Sequence, residues 1–166
     1  MKYSNIFDSH THSIHSFDGN HSCNALCDGA IEHGAIGIAI TDHCDIDMKD
    51  FEPEKFANEQ FADVTKTQTE YKGKLQVLHG IELGQGIFNK PLSEKILSDY
   101  KYDFVLGSIH NLKGLEDFYF LDYKQYNIKQ LLTQYFEAEL ELSGSIDKEI
   151  LFQSPIKGDL LGFAFK

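Results

Sequence analysis

Residues 3–12 read YSNIFDSHTH, and this short stretch holds the pattern that decides the fold. An apolar run from Tyr3 closes on a polar cluster that contains Asp8, His10 and His12. The two histidines are two positions apart, so in an extended strand both imidazoles project to the same side. Two imidazoles need this arrangement to chelate one divalent ion. The stretch therefore predicts a strand that delivers metal ligands at its end.

The same pattern recurs further along the chain. Three more apolar runs end in polar, metal-capable residues: Ala35 to Ile40 before Thr41-Asp42-His43, Leu75 to Ile81 before Glu82, and Phe104 to Ile109 before His110. Continuous apolar runs of this length are typical of parallel strands covered on both faces. Helix-length segments separate them, the clearest being residues 127–142. Strand–helix alternation predicts an α/β fold with right-handed crossovers, and in a (β/α) barrel function collects at the carboxyl ends of the strands.

The residue types at these strand ends favour one multinuclear metal centre. Asp18 follows the first histidine pair, which adds an oxygen donor to the imidazoles. Glu82 closes an apolar strand, and a carboxylate there needs a partner to offset its desolvation. A metal is such a partner, and a carboxylate can bridge two ions. A second zinc site built from His21, Cys23 and Cys27 is the weaker hypothesis, because those cysteines are typical of buried helix positions.

Composition limits the classes of function. The chain has 166 residues, a length that favours one domain with a hydrophobic core. Its net charge of −11 disfavours nucleic acid and anionic lipid as partners. No apolar run approaches the roughly 20 residues of a membrane span. The N-terminus lacks the pattern of a secretion signal, so a cytoplasmic protein is expected. The three cysteines predict no disulfide framework.

Four motifs resemble the successive motifs of the PHP (polymerase and histidinol phosphatase) family. They are Asp8 to Ser13, Thr41 to His43, Gly80 to Glu82 and Gly107 to His110. The stretch Phe118 to Tyr123 looks like the histidinol-phosphatase branch of that family. The resemblance covers residues 1–142 as a PHP-like phosphatase domain. Residues 143–166 are expected to be a divergent tail of the same domain.

The resemblance implies a distorted seven-stranded (β/α) barrel that holds two or three divalent ions of zinc, manganese or iron. For this chain it implies a partial barrel of about four or five βα units. Carried over by position, His10, His12 and Glu82 would bind the first metal. Glu82 would bridge to a second metal that His110 also binds, and these two residues would be catalytic. Asp18 and His43 would bind the third metal.

The function that the resemblance implies is hydrolysis of a phosphate monoester. The substrate would be L-histidinol phosphate, attacked by a hydroxide that bridges two metals and released as L-histidinol and phosphate, a step of histidine biosynthesis. The family also has nucleases that act on DNA ends. The charge of −11 and the histidinol-phosphatase-like stretch disfavour that alternative.

The chain also departs from the family pattern. The family has a further histidine and an Asp-x-His motif on later strands, and arginines that hold phosphate. Here no histidine follows His110, and every basic residue is lysine. The chain is therefore expected to be shortened relative to the family. The alternative to an active phosphatase is a catalytically impaired remnant that binds metal or forms a homo-oligomer.

Overall fold

The computed structural model describes residues 5–49, 51–145 and 151–153. The strands are β1 (Phe7–Thr11), β2 (Gly37–Ile40), β3 (His43–Asp45), β4 (Gln76–Gly84), β5 (Phe104–Ser108) and β6 (Leu151–Gln153). The α-helices are α1 (Cys23–Glu32), α2 (Pro53–Glu70), α3 (Lys90–Asp99) and α4 (Ile128–Ser145). Short 3-10 helices lie at Gly86–Asn89 and Tyr123–Gln125.

The six strands form one curled, all-parallel sheet. Its order is β1-β2-β4-β5-β6, and the short β3 also pairs with β4, beyond the end of β2. The long strand β4 thus spans both halves of the sheet and pairs with β2, β3 and β5. This half-barrel confirms the predicted α/β fold with a partial barrel.

Each of the four predicted strands overlaps an observed one, but their bounds differ, and β4 continues past Glu82 to Gly84. Strand β1 runs past Asp8 to Thr11, because the Thr11 hydroxyl donates to the Ala39 carbonyl and extends the pairing with β2. Strands β3 and β6 were not predicted. The apolar stretch Leu160 to Phe165, which resembled a further strand, lies outside the described residues.

Two apolar clusters hold the helices to the sheet. One lies between strands β3 to β5 and helices α2, α3 and α4, and its buried members include Ile81, Leu83, Ile96 and Leu131. The other packs α1 and α2 against β2 and includes Cys27, Ile38 and Val64. All three cysteines are buried and free, as expected from their number and spacing. No helix in the described part of the chain is long and apolar enough to cross a bilayer.

Local sequence explains where the helices begin and end. Ser22 caps α1 by accepting a hydrogen bond from the Ala25 amide. Gly34 follows that helix at φ 76°, the left-handed conformation that glycine adopts without strain. Helix α2 begins at Pro53, whose missing amide hydrogen costs nothing in the first turn.

Candidate metal centre

Glu82 lies at the centre of a cluster of histidines. Its side chain is buried, with 2% exposed, and it stands on β4 directly across from His43 of β3. Its Oε2 atom is 3.2 Å from Nε2 of His10 and 3.0 Å from Nε2 of His12. Its Oε1 atom is 3.0 Å from Nε2 of His110. One carboxylate therefore faces different imidazoles with its two oxygens.

The first histidine pair converges as the spacing predicted. Nε2 of His10 and Nε2 of His12 are 2.7 Å apart, and both face the same Glu82 oxygen. Such close approach of two ring nitrogens needs a proton or a cation between them. The other nitrogen of His12, Nδ1, is 3.0 Å from Asp18.

His43 joins the two halves of the cluster. Its Nε2 atom is 3.6 Å from Oδ2 of Asp18, and its Nδ1 atom is 3.3 Å from Oε2 of Glu82. Nδ1 is buried and makes no hydrogen bond of acceptable geometry, despite its nearness to Glu82. An imidazole nitrogen in that state is free to bind a cation.

The six residues expected as ligands therefore surround one cavity of about 560 Å³, whose lining also includes Phe17 and Phe120. Their donor atoms fall into three overlapping groups in which all atoms lie within 4.8 Å of one another: His10, His12 and Glu82; His12, Asp18 and His43; and His43, Glu82 and His110. Imidazole and carboxylate donors of this kind suit zinc, manganese and iron. The donor set and the unpaired Nδ1 of His43 both fit divalent cations.

The charges of these groups depend on one another. Burial alone would raise the pKa of Glu82, but hydrogen bonds from His10, His110 and His12 outweigh it and hold that pKa well below its usual range. Burial would lower the pKa of His110, but hydrogen bonds to Asp45 and Glu82 raise it to about 10. For His43 burial prevails, and its pKa is lowered. In the metal-free protein, contacts with Asp45, Glu82 and Asp18 therefore favour the protonated forms of His110 and His12.

A sequence profile of the PHP domain matches residues 8–159, which is most of the chain. This chain belongs to the PHP domain family. The match continues past residue 142 and so includes part of the segment expected to be a divergent tail.

The curated relatives of this PHP domain include histidinol phosphatases. The chain is 34% identical over 137 residues to a probable histidinol-phosphatase of Clostridium acetobutylicum, a match that covers 81% of this chain and 51% of that protein. It is 28% identical over 109 residues to the histidinol-phosphatase of Lactococcus lactis, covering 66% of this chain and 40% of that one. The PHP domain thus spans about half the length of the curated relatives it matches.

Solved structures show the same fold. The crystal structure of histidinol phosphate phosphatase from Lactococcus lactis, complexed with zinc, L-histidinol and phosphate, superposes with a TM-score of 0.75 at 24% identity. That superposition covers 94% of this chain and 65% of the other. A putative histidinol phosphatase from Listeria monocytogenes superposes with a TM-score of 0.69 at 19% identity, covering 82% of this chain and 60% of the other.

Asp45 is a residue of the PHP domain site that sequence reasoning missed. Its Oδ1 atom is 2.9 Å from Nδ1 of His110, and its Oδ2 atom is 3.8 Å from Nδ1 of His43. The signal was present in the spacing, since His43 and Asp45 are two positions apart on β3 and face the same side. The contact fixes the orientation of the His110 ring and turns its Nε2 atom towards Glu82.

A buried polar network behind the site was missed as well. The fully buried Asp42 accepts hydrogen bonds from the amide and hydroxyl of Ser13 and from the hydroxyl of Ser16, which itself accepts from the His43 amide. Gln60 of α2 donates to the Gly80 carbonyl and pairs with the buried His79. The network fixes the loop between β1 and α1, which carries Asp18, to the end of β2.

Proposed function

We propose that this PHP domain is a metal-dependent phosphate monoester hydrolase that converts L-histidinol phosphate and water to L-histidinol and phosphate. The observation that carries the proposal is the central position of Glu82, whose Oε2 faces His10 and His12 while Oε1 faces His110. A buried carboxylate placed in this way can join two metal sites. The names of the relatives, and the zinc, L-histidinol and phosphate bound to the Lactococcus protein, support the substrate and the metal.

The proposed ligands are His10, His12, Asp18, His43, Glu82 and His110, and they would hold two or three divalent ions. Zinc is supported by the structural neighbour, and manganese and iron accept the same mixture of imidazole and carboxylate. When bound, such ions polarise the phosphoryl oxygens and lower the pKa of water.

The negative charge of the cavity lining also supports the proposal that the site binds divalent cations. Its lining includes the acids Asp18, Glu82 and Asp117, and no lysine among the described residues that line it. A phosphate dianion would be repelled by these carboxylates in the absence of a compensating charge. Divalent ions at the histidine cluster reverse the local sign and make the cavity attractive for phosphate.

Glu82 and His110 are the residues we assign to catalysis. Asp45 holds the His110 ring through Nδ1, so that its Nε2 atom faces both Glu82 and the hydroxyl of Ser108, 2.7 Å away. A ring held on both sides keeps Nε2 aimed, without reorienting, at the place where a metal ion would be shared with Glu82. Preorganised groups of this kind lower the cost of charge development during the reaction.

An aromatic rim at the mouth of the cavity supports the proposal that the substrate carries a histidinol group. Phe17, Tyr119 and Phe120 line the mouth of the cavity, and each leaves more than half of its surface exposed. The Phe17 ring stacks on His43 at 4.8 Å, so the rim continues directly into the ligand cluster. Flat aromatic faces suit an imidazole ring, and Asp117 beside them suits an ammonium group. We place the activity in cytoplasmic histidine biosynthesis.

The test is release of phosphate from L-histidinol phosphate by the full chain loaded with zinc or manganese. Turnover that falls at least about a hundredfold in Glu82→Gln, with the exposed Glu94→Gln as matched control, is expected for a residue at the reacting centre. His110→Gln should fall similarly, with the exposed His33→Gln as its control. A loaded protein that binds metal but releases no phosphate would contradict the enzyme proposal and favour a metal-binding or oligomerising module.

A further inference from the structure

A group of potential metal ligands lies outside the cavity just described. His15 stands in the loop after β1, Cys23 is the first residue of α1, and Asp63 is in the middle of α2. Nε2 of His15 is 3.2 Å from Oδ2 of Asp63, and Sγ of Cys23 is 3.5 Å from the same oxygen. The three donor atoms all lie within 4.8 Å of one another. None of the three belongs to the ligand groups around Glu82.

The distances from His15 and Cys23 to the Asp63 oxygen match those between ligands of a tetrahedral zinc ion. Zinc bonds are about 2.3 Å to sulfur, about 2.0–2.1 Å to nitrogen and about 2.0–2.2 Å to oxygen. At tetrahedral angles these lengths put the nitrogen about 3.3 Å and the sulfur about 3.6 Å from the oxygen ligand. The observed 3.2 Å and 3.5 Å therefore agree with two of the three ligand-to-ligand distances, and the donor atoms of His15 and Cys23 lie within 4.8 Å of each other.

Hydrogen-bonding contacts to Asp63 occupy the place of the cation in the metal-free protein. Burial and the nearby carboxylate of Asp63 raise the pKa of Cys23 to about 12, so its thiol stays protonated and donates to Asp63. The imidazole of His15 contacts the same Asp63 oxygen. Metal ions deprotonate a coordinating thiol outright, and binding releases the protons. The side chains can thus exchange hydrogen bonds for metal bonds in place.

We propose that His15, Cys23 and Asp63 form a separate binding site for one zinc ion or a similar borderline-soft divalent cation. The thiolate selects zinc or cobalt over magnesium and calcium, which prefer oxygen ligands alone. Three protein ligands leave a fourth position open for water.

The site would act as a clamp on the loop that carries Asp18. His15 belongs to that loop, while Cys23 and Asp63 belong to the helices α1 and α2, which pack on the sheet. The amide of His15 also donates to the Ser13 hydroxyl, which in turn donates to the buried Asp42. A cation here would therefore cross-link the loop to two helices and restrict the movement of Asp18. The inference does not depend on phosphatase activity, because it concerns different ligands.

Cobalt distinguishes this site from the Glu82 cluster, which contains imidazoles and carboxylates but no thiol. A cobalt ion bound by a thiolate absorbs in the near ultraviolet through sulfur-to-metal charge transfer. Titration of the full chain with Co²⁺ should produce that band with a stoichiometry of about one per chain. The same titration of Cys23→Ser should give no band, and Cys27→Ser, a buried cysteine outside every ligand group, should keep it.

Two further variants remove the other ligands and leave the buried thiol intact. Asp63→Asn and His15→Gln should weaken the cobalt affinity measured by the band at least about tenfold, since loss of even an outer partner of a metal ligand costs roughly 10–100-fold. His21→Gln, an exposed histidine in the same loop region, is the matched control. Absence of the band at saturating Co²⁺ in the unsubstituted chain, or its survival in Cys23→Ser, would overturn the proposal. Activity on L-histidinol phosphate is read separately, so the two proposals can fail independently.

Discussion

Asp45 and His110 are joined by a hydrogen bond of 2.9 Å between Oδ1 and Nδ1, although Asp45 lies on β3 and His110 follows the end of β5. The contact crosses β4 at the position of Gly84, which pairs with Asp45 on one side and with Ser108 on the other. It orients the imidazole so that the opposite nitrogen faces Glu82. Carboxylate partners of this kind fix the ring orientation of metal-binding histidines and raise their basicity. Asp45 is therefore a positioning residue of the proposed centre.

Replacement of Asp45 tests that role. Asp45→Asn keeps the shape of the side chain but removes its charge, so the affinity for zinc is expected to fall about 10–100-fold. The measurement is competition with a chelator of known zinc affinity. Asp47→Asn, an exposed neighbour on the same segment, should retain the affinity of the unsubstituted chain. If Asp45→Asn binds zinc as tightly as Asp47→Asn and the unsubstituted chain, Asp45 does not have the positioning role.

Gly84 leaves room for the same contact. A Cβ atom at this position would lie 1.7 Å from Oδ1 of Asp45 and 3.2 Å from Nδ1 of His110. Gly84→Ala should therefore displace the Asp45 carboxylate and reduce zinc affinity as Asp45→Asn does. Gly29→Ala is the matched control, because its Cβ would meet nothing within 4 Å and alanine favours the α1 helix by roughly 0.5–1 kcal/mol. Chelator competition and urea unfolding on both variants check the prediction; unchanged zinc affinity in Gly84→Ala would contradict it.

Asp42 is expected to control stability rather than bind metal. Asp42→Asn replaces an acceptor of several hydrogen bonds by a group that also donates, and it leaves a buried hydroxyl of Ser13 or Ser16 without its partner. An unsatisfied buried polar group costs about 1–3 kcal/mol, so the free energy of unfolding in urea should fall by that amount. Glu59→Gln on the exposed face of α2 also loses a charge, but it lies apart from this network and should cost less. A stability loss below that of Glu59→Gln would contradict the structural role of Asp42.

His79 predicts a pH dependence of stability. Burial lowers its pKa below the ordinary 6.5, outweighing the Lys101 carbonyl and the charge of Asp103. The unfolded chain therefore binds a proton at higher pH than the folded chain. The contribution of His79 to the free energy of unfolding is therefore fully present above about pH 6.5. It is lost as the pH falls through the folded-state pKa of His79.

The measurement is urea unfolding of chelator-treated protein at several pH values between neutral and mildly acidic. The free energy of unfolding should fall less steeply with decreasing pH in His79→Gln than in the unsubstituted chain, because the variant lacks the titrating imidazole. Parallel pH profiles would show that His79 is not the group responsible.

The sequence predicted the features that depend on strand ends, and it missed those that depend on packing between distant segments. His10, His12, His43, Glu82 and His110 could be expected together, because parallel strands deliver their carboxyl ends to one rim. Their assignment to individual ions stays a prediction, since His12 and His43 each belong to two of the donor groups.

The missed features have physical reasons. Strand β3 has only three residues, too few for a periodic signal, yet it carries His43 and Asp45. Gln60 lies in a polar helix, and its burial arises only when α2 packs over the Gly80 carbonyl. The group of His15, Cys23 and Asp63 joins residues up to 48 positions apart, which no local spacing reveals. Strand β6 follows a segment that carries no strand-like pattern in the sequence.

The most direct test of the central claim is the metal content of the purified full chain, measured by elemental analysis for the unsubstituted protein, Glu82→Gln and the control Glu94→Gln. We expect Glu82→Gln to retain at least one ion fewer per chain than the other two proteins, because both oxygens of Glu82 face proposed ligand groups. Equal metal content in all three proteins would contradict a metal centre built around Glu82.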